Sequence, residues 1–272
     1  MADSILPDPD EFLATGWERQ TPATDTLLRR AIEVHASWAT AVGNALGRPA
    51  RHAERWAGAY VADRGALTNP VVLTQPMLKA AEYAEVLLEV GEVVPDGVPF
   101  FLVSPFPTPD LAEFGLVKVG HPPLMVRLPG GAPPPLKPGV TLREVHDANA
   151  LEVAERVLIE GYPMPELQPI EPGSFFAPTI LDGTTRVWTA YVDGIPAATA
   201  AAHVAGEAVL VEYVAALPAA RGRGAASAAT WAAALCAPEL PALLLSSDDG
   251  RPVYEQMGFH ALTRWTAWLR QA

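Results

Sequence analysis

The run Arg221-Gly222-Arg223-Gly224-Ala225-Ala226 follows an apolar stretch, Val214-Ala215-Ala216-Leu217-Pro218, and opens an alanine-rich segment. Glycine adopts backbone angles closed to other residues and lets the chain approach a ligand closely. A helix beginning after Gly224 leaves its first amides without partners, pointing outward to where a negative group is favoured. Arg221 and Arg223 add positive charge beside them. The chemistry implied is anion binding by the amides from Gly222 to Ala226. A dinucleotide fingerprint or a phosphate-binding P-loop fits less well, because the third glycine of the one and the Lys-Ser/Thr of the other are missing.

Other residue types that do chemistry lie around this loop. Glu212 sits on the strand leading into it, and strict alternation puts Glu212, Val214 and Ala216 on one face and Val211, Tyr213 and Ala215 on the other. His203 has the type for base work near neutral pH, yet a lone histidine in an apolar strand is expected to be structural. Cys236, in an alanine-rich helix, is expected to be a small buried residue and not an acyl carrier. Ser247 ends an apolar strand beside the loop, and Ser246-Ser247-Asp248-Asp249-Gly250 reads equally well as a capped turn. His121 and His260 are expected at the surface or in packing, and Trp231, Trp265 and Trp268 in a core and an interface.

These residues need elements to hold them. The run Leu128-Pro129-Gly130-Gly131-Ala132-Pro133-Pro134-Pro135-Leu136-Lys137-Pro138-Gly139 has neither period and reads as a linker. Before it, 25–46 and 78–90 carry helical spacing, and 71–73 and 99–103 look like buried strands. After it come a strand at 140–145, a helix at 148–159 and strands near 186–192, 195–204 and 207–217. A helix at 224–236, a strand at 242–246, a short helix near 252–257 and a last strand near 259–269 follow. The fold class expected is α/β (α+β), with mixed, mostly antiparallel sheet flanked by helices.

The two halves resemble each other at an offset of 143, which lays Leu102 on Leu245, Ser104 on Ser247, Gly115 on Gly258 and Met125 on Trp268. Such internal similarity points to duplication. Shifted by 143, loop 221–226 falls on Leu78-Lys79-Ala80-Ala81-Glu82-Tyr83, without glycine, and Tyr254 falls on Leu111. The expected organisation is a degenerate domain at 1–128, a linker at 129–139 and a catalytic domain at 140–272.

Residues 140–269 resemble the GNAT superfamily of acyl-CoA-dependent N-acyltransferases. Arg221-Gly222-Arg223-Gly224-Ala225-Ala226 is similar to that family's acyl-CoA loop, and Pro252-Val253-Tyr254-Glu255-Gln256-Met257-Gly258-Phe259 to its late Tyr-x-x-x-Gly-Phe segment; the order of elements agrees too. The resemblance implies coenzyme A pyrophosphate on Arg221 to Ala226. It also implies a strand, Val214, Ala215, Ala216 and Leu217, that splays from its neighbour and pairs with the pantetheine arm, and a contact at Ser247. Tyr254 is then the acid that reprotonates the thiolate, and Glu212 the base, with Tyr213 or a water path as substitute if Glu212 faces away. Residues 161–176 correspond to the family's variable acceptor loops. Two tandem domains of this kind are expected, transferring acetyl from acetyl-CoA to an amine, with no metal; the rival is an acyl-CoA-binding sensor or scaffold without catalysis.

Composition limits the partners. With 272 residues, half of them hydrophobic, a sizeable core can form. A formal charge of −12, from 19 Lys+Arg against 31 Asp+Glu, argues against nucleic acid. One cysteine excludes an intrachain disulfide and a cysteine-based zinc site. The first eight residues carry no basic n-region, and no stretch approaches the roughly 18 apolar residues a membrane span needs. The expectation is a cytoplasmic protein with acetyl-CoA and a small or peptide amine as partners, no membrane contact, and a homodimer allowed for.

Overall fold

In the computed structural model residues 26–162 and 164–272 are described, without the side chain of Asp182. The reading of residues 1–8 and the part of the acceptor-loop expectation that falls on Pro163 lie outside the described residues. Helix α1 (Leu27–Ala45) starts where Thr26 accepts a hydrogen bond from the Arg29 amide at 3.2 Å. It buries Ala31, Ile32, Val34, His35, Trp38, Ala39 and Val42, a wide stripe at helical spacing. Strands β1 (Ala50–His52), β2 (Trp56–Ala59) and β3 (Pro70–Leu73) follow, then α2 (Ala80–Gly91), β4 (Phe100–Ser104), β5 (Leu116–Gly120) and β6 (Pro123–Arg127).

The second half runs β7 (Val140–Glu144), α3 (Ala148–Gly161), β8 (Thr185–Val192), β9 (Ile195–Ala205), β10 (Ala208–Ala216) and α4 (Ala225–Ala234). It closes with β11 (Ala242–Leu245), α5 (Arg251–Gln256), β12 (His260–Arg264) and β13 (Thr266–Arg270). The expected last strand at 259–269 is therefore two strands, parted at Trp265. Among the described residues no helix is long and apolar enough to cross a membrane.

Two mostly antiparallel sheets result, in the orders β1-β2-β3-β4-β13-β5 and β12-β6-β11-β10-β9-β8-β7. Each contains one parallel pair, β3 with β4 and β10 with β11. The last strand of each half has crossed over: β13 lies between β4 and β5, and β6 between β11 and β12. All five residues of β6 are buried, so this strand needs cover on both faces and a central place. Leu124 and Val126 enter the core shared by the two halves, and Met125 the core under α4.

The crossover is nearly symmetric. At its centre the Trp265 amide donates to the Pro122 carbonyl at 3.0 Å, and 122 and 265 differ by the same 143. Strands β5 and β6 correspond in register to β12 and β13 at that offset, with Leu269 opposite Val117 where His260 lies opposite Val126. Strand β4 does not: Thr266 faces Ser104, whereas the Pro123 carbonyl takes the Ser246 amide, so Ser246, not Ser247, holds the place of Ser104. A division of the chain at 128 and 140 thus runs across the sheets and not between them.

The exchange makes the C-terminal strand part of the N-terminal core. Trp268 is 1% exposed, packs with Trp56, Tyr83, Phe100 and Leu102, and donates its indole N–H to Thr108 Oγ1 at 3.0 Å. Trp268→Ala is expected to cost about 3–5 kcal/mol, the usual range for emptying so large a site. Hydrogen exchange should quicken in β4 and β5 first. Unchanged protection of those strands would show that β13 does not hold them.

Candidate active site

Strand β10 carries the irregularity on which the site depends. It pairs with β9 from Ala208 to Glu212 and again from Ala215, but Tyr213 and Val214 share the space of one partner residue, and Tyr213 has φ of +51°. This is a β-bulge, and it re-aims the side chains that follow. Strict alternation across 211–216 is therefore not observed. Val211, Val214 and Ala216 pack toward α4, whereas Tyr213 and Ala215 pack toward α1 and α3, the side on which Glu212 meets His35. Glu212 and Tyr213 consequently share a face. Tyr213 is wedged among Trp38, Phe175 and Phe176, with ring centroids 4.9–5.7 Å away.

Beyond the second residue of β11 the parallel pairing stops. Val209 faces Ala242 and Leu210 faces Leu243, after which β10 runs on to Ala216 and β11 to Leu245 unpaired with each other. The two strands splay, as the family resemblance implies, and leave main-chain groups of β10 free to pair with an extended ligand. In the first sheet β3 and β4 stay paired at Pro70, Val71 and Val72, through nearly all of the four-residue strand, so no gap opens there.

Into the splay opens a cavity of about 600 Å³. Its wall combines His35 and Trp38 of α1, Tyr162 after α3, Val211 to Val214 of β10, and Ser246, Ser247 and Tyr254. The N-terminal half adds Val71, Val72, Phe101 and Val103. Glu212 exposes 23% of its side chain, and burial raises its carboxyl to about 7 against the opposing pull of a hydrogen bond from the Tyr213 backbone. Tyr254 packs edge-on to Phe259, 5.9 Å between centroids. Burial, helped by the nearby Tyr162 and Glu212, raises its hydroxyl well above the ordinary phenol, so the proton is firmly held. Ser247 faces the cavity while its Oγ accepts the Gly250 amide at 3.0 Å, and so it is also the cap of that turn.

At the far end of β10 lies the glycine loop. Gly222 and Gly224 adopt φ of +76° and +90°, angles that favour glycine, and α4 starts at Ala225. The first bond back along the helix is Ala228 N–H to Gly224 O, and the amides of Gly222, Gly224, Ala225 and Ala226 have no acceptor among the described residues. Those amides and the helix dipole fit an anion such as a pyrophosphate. The arginines differ. Arg223 is held by Asp193 at 2.9 Å, whereas Arg221 is exposed with no ion pair among the described residues. Lys137, from the proline-rich linker, reaches the Gly222 carbonyl at 3.3 Å.

The counterpart in the N-terminal half is closed by the chain itself. Glu82 Oε2 accepts the amides of Leu78 and Lys79 at 3.0 and 2.9 Å, and these bonds hold its carboxyl below the usual range. A carboxylate already occupies the front of α2, where the corresponding part of the second half presents bare amides.

The remaining sequence candidates fall outside the chemistry. His203 is 3% exposed, with Ser37 Oγ and Thr185 Oγ1 each 2.8 Å from its ring nitrogens, and burial lowers its pKa to about 4. Burial pushes the Cys236 thiol up to about 11, which leaves it a poor nucleophile. Trp265 and Trp268 are core residues, and Trp231 lies under the Arg127 guanidinium at 4.7 Å. Two residues of the cavity, His35 and Trp38, were not singled out in the sequence; on an amphipathic helix they have the pattern of ordinary core.

No family model matches the chain, and no curated protein matches it. Solved structures do. A GCN5-related N-acetyltransferase from Kribbella flavida superposes with a TM-score of 0.60 at 22% identity, over 88% of this chain and 96% of that one. A GNAT-family protein from Novosphingobium aromaticivorans gives 0.54 at 19% identity, over 85% and 96%. A GCN5-related N-acetyltransferase from Sphaerobacter thermophilus gives 0.52 at 14% identity, over 79% and 76%. With the splayed β10 and β11 and the glycine loop ahead of α4, the chain has the fold of the GCN5-related N-acetyltransferases.

Proposed function

We propose that the protein transfers an acetyl group from acetyl-CoA to a primary amine, by direct attack within a ternary complex, in the part of the chain spanning 140–272. The observation that carries this reading is a cavity at the splay of β10 and β11, lined by two titratable side chains, Glu212 and Tyr254, with the bare amides of the glycine loop following the end of the same strand. The amides from Gly222 to Ala226 with Arg221 hold the pyrophosphate, and Arg223 follows when its bond to Asp193 yields. Val214, Ala215, Ala216 and Leu217 lie along the pantetheine arm, and Ser247 stands beside it. Residues 1–128 act as the second wall of the acceptor site. We place the reaction in the cytoplasm, and no metal enters it.

Protons balance as follows. The amine arrives as an ammonium ion and gives one proton to the Glu212 carboxylate, which returns it to solvent. The freed lone pair forms the N–C bond while the carbonyl π pair moves to oxygen, where a main-chain N–H at the bulge, Val214 to Ala216, stabilises it. Collapse breaks the C–S bond. Tyr254 protonates the departing sulfur and recovers a proton from the nitrogen. Because its phenol holds its proton so firmly, the two transfers belong to one concerted step.

Thermal denaturation with acetyl-CoA tests the reading: a hundredfold excess over the dissociation constant stabilises by about 2.7 kcal/mol. No shift at millimolar ligand removes it. Tyr254→Phe should lower kcat by about 10²-fold and keep that stabilisation. A chain that binds the coenzyme but releases no thiol with any amine is a sensor or scaffold instead.

A further inference from the structure

His35 belongs to α1, in the N-terminal half, yet it lines the cavity of the second sheet. Its Nδ1 lies 2.6 Å from the Ala31 carbonyl, which can only accept, so Nδ1 carries the proton and Nε2 presents a lone pair. That Nε2 is buried without a hydrogen-bond partner among the described residues, a state folded proteins seldom leave unexplained. Burial lowers the ring's pKa to about 4, so the lone pair stays bare at neutral pH. Glu212 Oε1 stands 3.9 Å from it, too far for a direct hydrogen bond and within the span that one atom bridges.

With the Glu212 carboxyl ionised, two acceptors therefore face one point with no donor between them. A primary amine completes this arrangement: its two N–H bonds go to Nε2 and Oε1, and its lone pair projects away from both. The rest of the cavity limits what the amine can be attached to. Trp38, Val72, Phe101, Val103, Leu158 and Met164 give an apolar wall. Neither Lys nor Arg lines the cavity among the described residues, and Asp248 at its edge is already held by Arg264 at 2.6 Å. A carboxylate entering with the amine finds no cation, and an unpaired buried charge is strongly disfavoured.

We propose that His35 and Glu212, one from each half of the chain, form the seat of the acceptor's amino group, and that the acceptor is a primary amine on an apolar body with no carboxylate beside it. This rests on the acetyl-transfer reading for its chemistry but not for its binding. The N-terminal half then contributes a hydrogen-bonding residue to the site as well as a wall.

Calorimetric titration of the full chain with 2-phenylethylamine and tryptamine, against phenylalanine and tryptophan, tests the seat directly. The amines should bind at least tenfold more tightly than the amino acids, and thiol release from acetyl-CoA should follow the same order. His35→Phe should raise the amine's KM at least tenfold with the KM for acetyl-CoA unchanged, and His35→Gln, whose terminal oxygen reaches the place of Nε2, should restore part of the loss. If the phenylalanine variant does not fold, the glutamine variant and the paired ligands decide alone. Amino acids that bind as tightly as the amines, an amine KM indifferent to His35, or binding of neither series by a chain that acetyl-CoA still stabilises each overturn the proposal. If acetyl-CoA fails to bind while the amines still discriminate, the seat stands and the acetyl-transfer reading falls.

Discussion

Replacing Glu212 by Gln is expected to lower kcat/KM by about 10²–10⁴-fold, the range that positioned proton transfer contributes. The pH profile should identify the cause. With the carboxyl at about 7, the wild-type rate rises through that pH to a plateau as the base ionises, and the glutamine variant lacks this limb. The groups facing Glu212 leave the window clear: His35 is neutral above about 4, and Tyr213 and Tyr254 keep their protons far beyond it. Stability moves the other way. A carboxyl near 4.5 when unfolded and about 7 when folded favours the folded state fully below 4.5, and this contribution is lost as pH rises through 7. The difference is on the order of 3 kcal/mol. The variant should therefore be at least as stable as wild type at pH 8 while far less active, which separates lost chemistry from lost folding. A variant that keeps the limb at 7 means that another group is the base.

The loop was legible in the residues themselves, whereas the splay came only with the family resemblance, because main-chain pairing leaves no mark on Val214 to Leu217. Gly222 and Gly224 mark positions where the backbone must take positive φ, and a required glycine is visible in the chain. The bulge at Tyr213 was not legible, because a tyrosine at φ +51° is held there by Trp38, Phe175 and Phe176, none of them near in sequence. Its consequence is large, since it moves Tyr213 to the face of Glu212. The exchange of β6 and β13 was hidden in the same way. The similarity at an offset of 143 shows two alike units but does not say that β6 pairs with β11 of the second half and β13 with β4 of the first. Only the prolines at 122 and 123 hint that the chain passes between them. His35 carries no local sign of its role. An unpaired ring nitrogen is a property of packing, and packing brings α1 across to β10.

Valine at both Gly222 and Gly224 should weaken acetyl-CoA binding at least tenfold, a loss of about 1.4 kcal/mol or more. The argument is conformational. At φ of +76° and +90° a residue with a Cβ is strained by roughly 1–2 kcal/mol, and a β-branched one by more, so the loop relaxes to other angles and its amides turn away from the anion. Crowding contributes less. A Cβ at Gly222 meets nothing within 4 Å, and one at Gly224 lies 2.8 Å from Lys137 Cδ, part of an exposed side chain that can swing aside. The melting point without ligand should thus fall little, and the stabilisation by acetyl-CoA should fall greatly. Single arginine variants refine the test. Arg223 must give up Asp193 to serve the coenzyme, whereas Arg221 has no ion pair to break among the described residues, so Arg221→Ala should cost more affinity than Arg223→Ala. If the doubly substituted loop binds acetyl-CoA as the wild type does, the pyrophosphate does not lie on these amides, and the anion site must be sought elsewhere on the splayed strand.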